Sequence, residues 1–268
     1  MLSVQLGAAA ATTLFDDIGP GGTVFYRLLF AALLLALIWR PRVRGHSPEA
    51  LKPAVLFGVA LAGMNLCFYT ALDRIPLGVA VTLEFVGPLG VALAASRRRS
   101  DLAWVGLAAV GIVLLAGPAG SPDAVGVVLA LAAGGFWGAY ILLSARVGRE
   151  FPGGQGLALA MIVAAALMFL PGAGFGGEKL LQPGVIAVGA AVAVLSSVIP
   201  YSFELEALRR LPVGVFGVLM SLEPAVAALV GLVALDQGLS PLEAAGIALV
   251  VAASVGVLRR ASAAPTEA

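Results

Sequence analysis

The chain is poor in the residues that build disulfides and metal centres, with one cysteine, Cys67, and one histidine, His46, among 268 residues. This excludes an internal disulfide and offers no Cys/His metal cluster, so we expect no metal and no cofactor. No HExxH motif, protease-type aspartate pair, Ser/His set or GxxxxGK[ST] loop is present, so we expect neither catalytic residues nor ATP drive. Charged residues make up only 12% of the chain and the net charge is +1, which gives no electrostatic basis for binding nucleic acid.

Apolar residues are abundant instead, at 60% of the chain, which is more than a soluble domain of this size could bury. About 20 apolar residues cross ~30 Å of hydrocarbon. The sequence predicts an all-α integral membrane protein with ten transmembrane helices, near residues 1–15, 22–39, 54–72, 78–96, 102–118, 124–145, 155–171, 184–208, 214–235 and 241–258. The first run is short for a full span, which fits either a shortened helix or a native N-terminus further upstream.

A proline-centred pattern occurs once in each half of the chain. Pro76 and Pro88 have counterparts in Pro212 and Pro224, at an offset of 136 residues in both cases. A repeat of this size in an apolar chain indicates a duplicated membrane bundle, and such bundles usually place the substrate site at the repeat interface. We therefore divide the chain into two five-helix repeats and a tail, at residues 1–120, 121–260 and 261–268.

Lysine and arginine fall almost wholly in alternate loops, which predicts the orientation. One set of loops holds two basic residues, Arg74 and Lys179, and the other set holds thirteen, within 40–52, 97–99, 146–149, 209–210 and 259–260. The positive-inside rule places the second set in the cytoplasm. With ten helices both termini are then cytoplasmic and the two halves have opposite topology. We expect two inverted repeats in the inner or plasma membrane.

Glu84 and Glu223 lie inside apolar runs beside prolines. Pro88 cannot donate the hydrogen bond that the Glu84 carbonyl would accept, and Pro224 does the same to Met220, so both helices should kink or open. Freed carbonyls at membrane depth are tolerated where protein or a water-filled cavity satisfies them. Both acids are therefore candidates for substrate binding or coupling. The alternative is a structural kink whose acid bonds to a neighbouring helix.

Pro200 is a third helix-breaking candidate, and a polar stripe surrounds it. Ser197, Tyr201 and Glu204 are spaced i, i+4, i+7, within about 40° of one another on a regular α-helix. A carboxyl in the hydrocarbon layer must be neutralised, paired or wetted, so we assign all three residues to a cavity. The alternative for Glu204 is a carboxyl near the cytoplasmic end that reaches the headgroups.

Four further residues are candidates for the same site, each with a structural alternative. Arg27 is the only basic residue well inside a predicted span, where it could bind a substrate carboxylate, pair with a glutamate or snorkel to the headgroups. Trp137 and Tyr140 sit mid-helix, which fits packing or pocket lining. Asn65 aligns with Tyr201 by the repeat offset and fits interhelical hydrogen bonding, cavity lining or both.

Three segments carry a family resemblance: LEFVGPL at 83–89, PYSFELEALRRLP at 200–212 and FGVLMSLEPAVAA at 216–228. Through them the chain resembles the drug/metabolite transporter superfamily with its EamA repeats, and within it the threonine/homoserine exporter branch. The resemblance covers nearly the whole chain. It implies a ten-helix carrier of inverted five-helix repeats that moves amino acids or similar metabolites.

A secondary carrier accounts for the duplication, the opposed topology, the broken helices and the buried acids together. An intramembrane enzyme accounts only for the acids, and a non-transporting membrane subunit needs neither broken helices nor buried carboxylates. We therefore expect a secondary transporter that exports amino acids or related small metabolites, with proton antiport as one mode of coupling. Efflux of lipophilic cations is the alternative. The substrate, the coupling ion, the direction of flux and the oligomeric state stay open.

Overall fold

The computed structural model describes residues 1–42, 48–95, 102–116, 123–201, 203 and 220–262. This part of the chain is built from α-helices and contains no strand. The α-helices are α1 Leu2–Thr12, α2 Phe15–Trp39, α3 Pro48–Leu72, α4 Leu77–Glu84, α5 Val86–Ala95, α6 Leu102–Ala116, α7 Ala124–Glu150, α8 Gln155–Gly176, α9 Pro183–Ala193, α10 Glu223–Ala234 and α11 Pro241–Ser262.

The helices have the lengths and surfaces of a membrane protein. Five helical segments of the described residues are long and apolar enough to cross a bilayer: Phe15–Trp39, Leu51–Leu72, Ala124–Glu150, Gln155–Gly174 and Pro183–Tyr201. Shorter apolar helices of 10–17 residues occur at Leu2–Thr12, Leu77–Val91, Ala103–Leu115, Glu223–Ala234 and Pro241–Gly256. Large apolar side chains such as Leu37, Leu170 and Val233 point outward, as expected for surfaces that face lipid. The all-helical membrane fold predicted from the sequence is therefore confirmed.

Several of the apolar runs are interrupted. α2 contains a break at Gly19 (φ 66°, ψ 171°), directly before Pro20, in a left-handed conformation that glycine adopts without steric cost. The predicted helix at 78–96 is divided into α4 and α5 at Phe85. α9 continues into a π-helical turn at Val194–Val198. The sequence predicted the break near Pro88, but it did not predict the π-helical turn.

The long helices pack as a bundle around a shared apolar core. α2 packs along α8, and α3 packs along α7 and α8. α6 packs against α11 and α4 against α10, while α1 contacts α9, the π-helical turn and α10. The most deeply buried large side chains, among them Phe57, Leu61 and Tyr69 of α3, lie in the centre of this bundle. Polar side chains in the same centre must find partners within the protein.

Candidate functional site

The two acids of the described residues that lie deep in the bundle sit at helix ends. Glu84 is the last residue of α4 and Glu223 is the first residue of α10. Glu84 is 8% exposed and Glu223 is 5% exposed. The helix dipole favours a negative charge at the N-terminus of α10 and disfavours one at the C-terminus of α4. The two carboxyls therefore lie in electrostatically different surroundings.

The prolines explain where these helices end. Pro88 has no N–H for the Glu84 carbonyl, and the chain leaves the helix at the next residue, Phe85. α7 lies directly against that break, because a Cβ at Gly134 would be 2.6 Å from the Glu84 carbonyl oxygen. Pro224 occupies the first turn of α10, a position in which a missing N–H costs nothing. α4 thus ends at Glu84 and α10 begins at Glu223, next to the prolines for which the sequence predicts helix breaks.

Pro200 frees a third carbonyl, and Arg27 uses it. Without an N–H, Pro200 cannot close the helical hydrogen bond to the Ser196 carbonyl. Nη2 of Arg27 donates to that oxygen at 3.0 Å, and Nε donates to Oγ of Ser197 at 3.1 Å. The guanidinium of α2 thus supplies the Ser196 carbonyl with the donor that Pro200 lacks, and it also binds the neighbouring Ser197 hydroxyl. Isolated π-helical turns are frequent at functional sites.

Arg27 is held on its other side by α3. Nη1 donates to the Tyr69 hydroxyl at 3.2 Å, and the guanidinium carbon lies 5.4 Å from the centroid of the Tyr69 ring. Arg27 is 7% exposed, so the side chain does not reach solvent, and the sequence-based alternative of snorkelling to the headgroups is wrong. The planar fork of arginine is suited to such an arrangement of several acceptors. Arg27 ties α2, α3 and the segment after α9 together.

The acids, Arg27 and Tyr201 form one electrostatic cluster. Glu84 lies close enough to interact with both Glu223 and Arg27. Tyr201 also acts on the guanidinium. Glu223 accepts a hydrogen bond at Oε1 from Nε2 of Gln5 at 3.2 Å, which brings α1 to the start of α10. The structure therefore brings together residues that lie far apart in the sequence.

Two predicted aromatic residues of α7 lie beside this cluster. Trp137 packs edge to face on Phe85, with 5.7 Å between ring centroids, at the break between α4 and α5. Tyr140 contacts Phe57 at 5.1 Å and stacks on Tyr201 at 6.4 Å. Both α7 rings are partly buried. They connect α7 to the elements that carry the charged residues.

Asn65 and Glu204 have different outcomes. Asn65 is 2% exposed and its Nδ2 donates to the Leu61 carbonyl within α3. Its amide is therefore used in part by its own helix, while Oδ1 has no hydrogen-bond partner within the described part of the chain. Glu204 lies outside the described residues, so its assignment to the cavity stays a prediction.

Sequence reasoning missed three residues of the cluster. Gln5, Tyr69 and Ser196 each bond to Arg27 or Glu223. Tyr69 lies four residues after Asn65, and this i, i+4 pair of polar side chains in an apolar run could have indicated a common face. Gln5 is the one long polar side chain in the first apolar run. Ser196 participates through its backbone carbonyl, so its side chain carried no signal.

The cluster combines carboxyl, amide, hydroxyl and guanidinium groups, which are groups that small polar molecules can bind. Among the residues that the structure describes, no three His, Cys, Asp or Glu side chains lie together in a way that could hold a metal ion. The arrangement offers fixed charges, helix ends and broken helices at membrane depth. These are the features that substrate sites of secondary transporters share.

Comparison with known proteins agrees with this type of site. The model of the EamA-like transporter family matches residues 124–259. The chain is 43% identical over 261 residues to the threonine/homoserine exporter RhtA of Escherichia coli (strain K12), covering 96% of this chain and 88% of the relative. It is 41% identical over 261 residues to the protein of the same name from Salmonella typhimurium (strain LT2), with the same coverage. One solved crystal structure superposes with a TM-score of 0.65 at 21% identity, covering 97% of this chain and 96% of that chain.

The chain belongs to the EamA-like transporter family. It is therefore a multi-pass membrane transporter and not an enzyme. The resemblance to the threonine/homoserine exporter branch found in the sequence is confirmed by the two relatives.

Proposed function

We propose that the protein exports amino acids of the threonine and homoserine type across the inner membrane. The relatives that share 41–43% of its residues are named for that activity. The observation that carries the proposal is the buried cluster of Glu84, Glu223 and Arg27 at three helix breaks. Charged groups inside a membrane bundle are costly and mark substrate or ion pathways.

The chemistry of the cluster fits an amino acid. An amino acid is a zwitterion, and its ammonium group needs anionic acceptors when it leaves water. Glu84 and Glu223 supply carboxylates at less than 9% exposure. The guanidinium of Arg27 prevents the two acids from standing as an uncompensated pair. The small hydroxylated side chain of threonine needs little further space.

The packing pattern supports two repeats, at 1–120 and 121–260. Exchange of α1 with α7, α2 with α8, α3 with α9, α4 with α10 and α6 with α11 maps several of the main contacts onto one another. The contact of α3 with α7 becomes that of α9 with α1, and the contact of α4 with α7 becomes that of α10 with α1. The pairs α2–α8, α4–α10 and α6–α11 map onto themselves. Five long and five shorter apolar helices support ten spans.

The ion pairs support the proposed orientation. Arg74 contacts Asp123 at 2.7 Å and Lys179 contacts Asp17 at 3.3 Å. All four residues belong to the loops that the basic-residue count assigns to the outside. Their pairing fits a common membrane face. If the basic-residue count places that face outside, both termini and the tail at 261–268 lie in the cytoplasm.

We propose that export is driven by proton antiport through the buried acids. A coupling carboxyl must exchange its proton as the site opens to each side, and Glu84, Glu204 and Glu223 are the candidates. Glu84 lies at the break between α4 and α5, which makes it the first of these candidates. We expect Glu84→Gln to abolish flux driven by a pH gradient while exchange of substrate across the membrane continues.

Proteoliposomes test the function and its alternative together. Vesicles loaded with labelled L-threonine, L-homoserine or tetraphenylphosphonium are compared with protein-free vesicles, with and without a pH gradient. We expect efflux of the two amino acids and none of the phosphonium. The cluster holds two carboxyls and one guanidinium, which is also suitable for binding a cationic substrate. Efflux of the phosphonium without efflux of the amino acids would therefore support the alternative, a carrier of lipophilic cations.

A further inference from the structure

The Gln5–Glu223 pair contains two acceptors that nothing in the described part of the chain satisfies. Nε2 of Gln5 donates to Oε1 of Glu223 at 3.2 Å. The remaining oxygens of the same two groups, Oε1 of Gln5 and Oε2 of Glu223, have no hydrogen-bond partner there. Gln5 is 2% exposed and Glu223 is 5% exposed. Both free oxygens are therefore shielded from bulk water.

Such acceptors are expensive to bury without a donor. An unsatisfied buried polar atom costs about 1–3 kcal/mol, and more when it is charged. Native proteins keep few of them, and a specific one requires an explanation. Here the two atoms belong to the two members of one hydrogen-bonded pair, so one donor group bound between α1 and α10 is the simplest way to satisfy both.

The number of donors and the charge identify that group. A proton on Glu223 supplies one donor, which leaves the Gln5 oxygen unsatisfied. A water molecule supplies two donors but no charge for the carboxylate. A primary ammonium group supplies three N–H donors and a positive charge. The start of α10 and the amide of Gln5 keep the carboxylate oriented for such a group.

The charges near Glu223 agree with this reading. Glu84 interacts with it as a second acid. Arg27 has three of its five N–H groups engaged by Ser197, Tyr69 and the Ser196 carbonyl, so it serves the helix break more than a ligand.

We infer that Gln5 and Glu223, with Glu84 nearby, form a subsite for the primary ammonium group of the transported molecule. The inference rests on the proposed function for the identity of the transported molecule. The preference for an ammonium group follows from the buried acceptors alone. The subsite lies between α1 and α10, which belong to different halves of the chain. Both free oxygens are buried, so the subsite is in a closed form in this structure.

Wild-type protein and three ligands test the chemistry directly. The full chain, tagged at its C-terminus and purified in detergent, is titrated calorimetrically with L-threonine, with its amino alcohol, and with 2,3-dihydroxybutyrate. The amino alcohol keeps the ammonium and lacks the carboxylate, whereas the dihydroxy acid keeps the carboxylate and lacks the ammonium. We expect the dihydroxy acid to bind at least ~10-fold more weakly than either amine, since a hydrogen bond to a charged group is lost.

Variants assign the effect to these residues. Glu223→Gln should weaken binding of the amino alcohol about 10- to 100-fold, and Gln5→Leu about 2- to 10-fold, because the second change removes a neutral acceptor. Gln155→Leu, at the start of α8, is the matched control and should bind as wild type does. The ligand series uses the unaltered chain, so it decides the question even when a variant does not fold.

The outcomes separate this inference from the proposed function. Equal affinity for threonine and the dihydroxy acid, or unchanged affinity for the amino alcohol in folded Glu223→Gln and Gln5→Leu, overturns the ammonium subsite. Export of threonine by a protein that does not bind the amino alcohol also overturns it and leaves the function standing. Binding of the amino alcohol that depends on Glu223, without export of amino acids, supports the subsite and overturns the function.

Discussion

Replacement of Arg27 by lysine tests whether the guanidinium holds the broken helix after α9 in place. The substitution keeps the positive charge but removes the planar fork that reaches Ser197, Tyr69 and the Ser196 carbonyl. One ammonium nitrogen cannot occupy the positions of Nε, Nη1 and Nη2 at once. We expect two of the three hydrogen bonds to be lost. At about 1.5 kcal/mol for each bond to a charged group, Arg27→Lys should lower the free energy of unfolding by about 3 kcal/mol.

Chemical denaturation in detergent micelles measures this difference. The matched control is Arg149→Lys, on the exposed end of α7, which should change the free energy of unfolding by less than about 0.5 kcal/mol. A double-mutant cycle with Ser197→Ala isolates one of the bonds, because Ser197→Ala should cost much less in the Arg27→Lys protein than in the wild type. An Arg27→Lys protein as stable as the control would refute the proposed role of the guanidinium.

Three further predictions follow from helix packing, loop charge and topology. Gly134→Ala should destabilise the protein by about 1–3 kcal/mol, because the added Cβ would collide with the Glu84 carbonyl oxygen. Gly135→Ala should not destabilise it, because the space around Gly135 is open. Chemical denaturation of both variants measures the difference. The hydrogen bond from Arg74 holds the pKa of Asp123 below its ordinary value of 3.8. The ionised carboxylate therefore stabilises the folded protein fully above pH 3.8, and this stabilisation is lost as the pH falls through the pKa that Asp123 has in the folded protein. NMR titration should show the Asp123 pKa rising in Arg74→Gln, and an unchanged value would contradict the pairing. A single cysteine placed at 117–122 in a cysteine-free protein should react with an impermeant thiol reagent from outside the cell, and labelling only from the cytoplasm would refute the orientation.

The sequence predicted the parts of the site that obey strong local rules. Charged residues in apolar runs are rare, so the amino-acid sequence alone indicated Arg27, Glu84 and Glu223. Prolines remove one defined hydrogen bond, so the break after Glu84 could be placed to within one residue of Phe85.

The remaining features depend on contacts that no local pattern records. The π-helical turn at Val194–Val198 alters the helical phase near Ser197, and an angle calculated for a regular α-helix does not include it. The bond between Gln5 and Glu223 joins residues far apart in the sequence. Short apolar helices are weakly indicated as membrane spans by their sequence, because α1 has only 11 residues whereas a full span needs about 20.

Efflux of labelled L-threonine from proteoliposomes, compared between wild type and Glu223→Gln at equal amounts of reconstituted protein, tests the central claim most directly. The claim is that the buried cluster at the helix breaks is the substrate site of an amino-acid exporter. Glu150→Gln, at the exposed end of α7, is the control for loss of a carboxylate. We predict rapid efflux for wild type and Glu150→Gln and at least ~10-fold slower efflux for Glu223→Gln. Wild-type efflux from the Glu223→Gln protein would contradict the account.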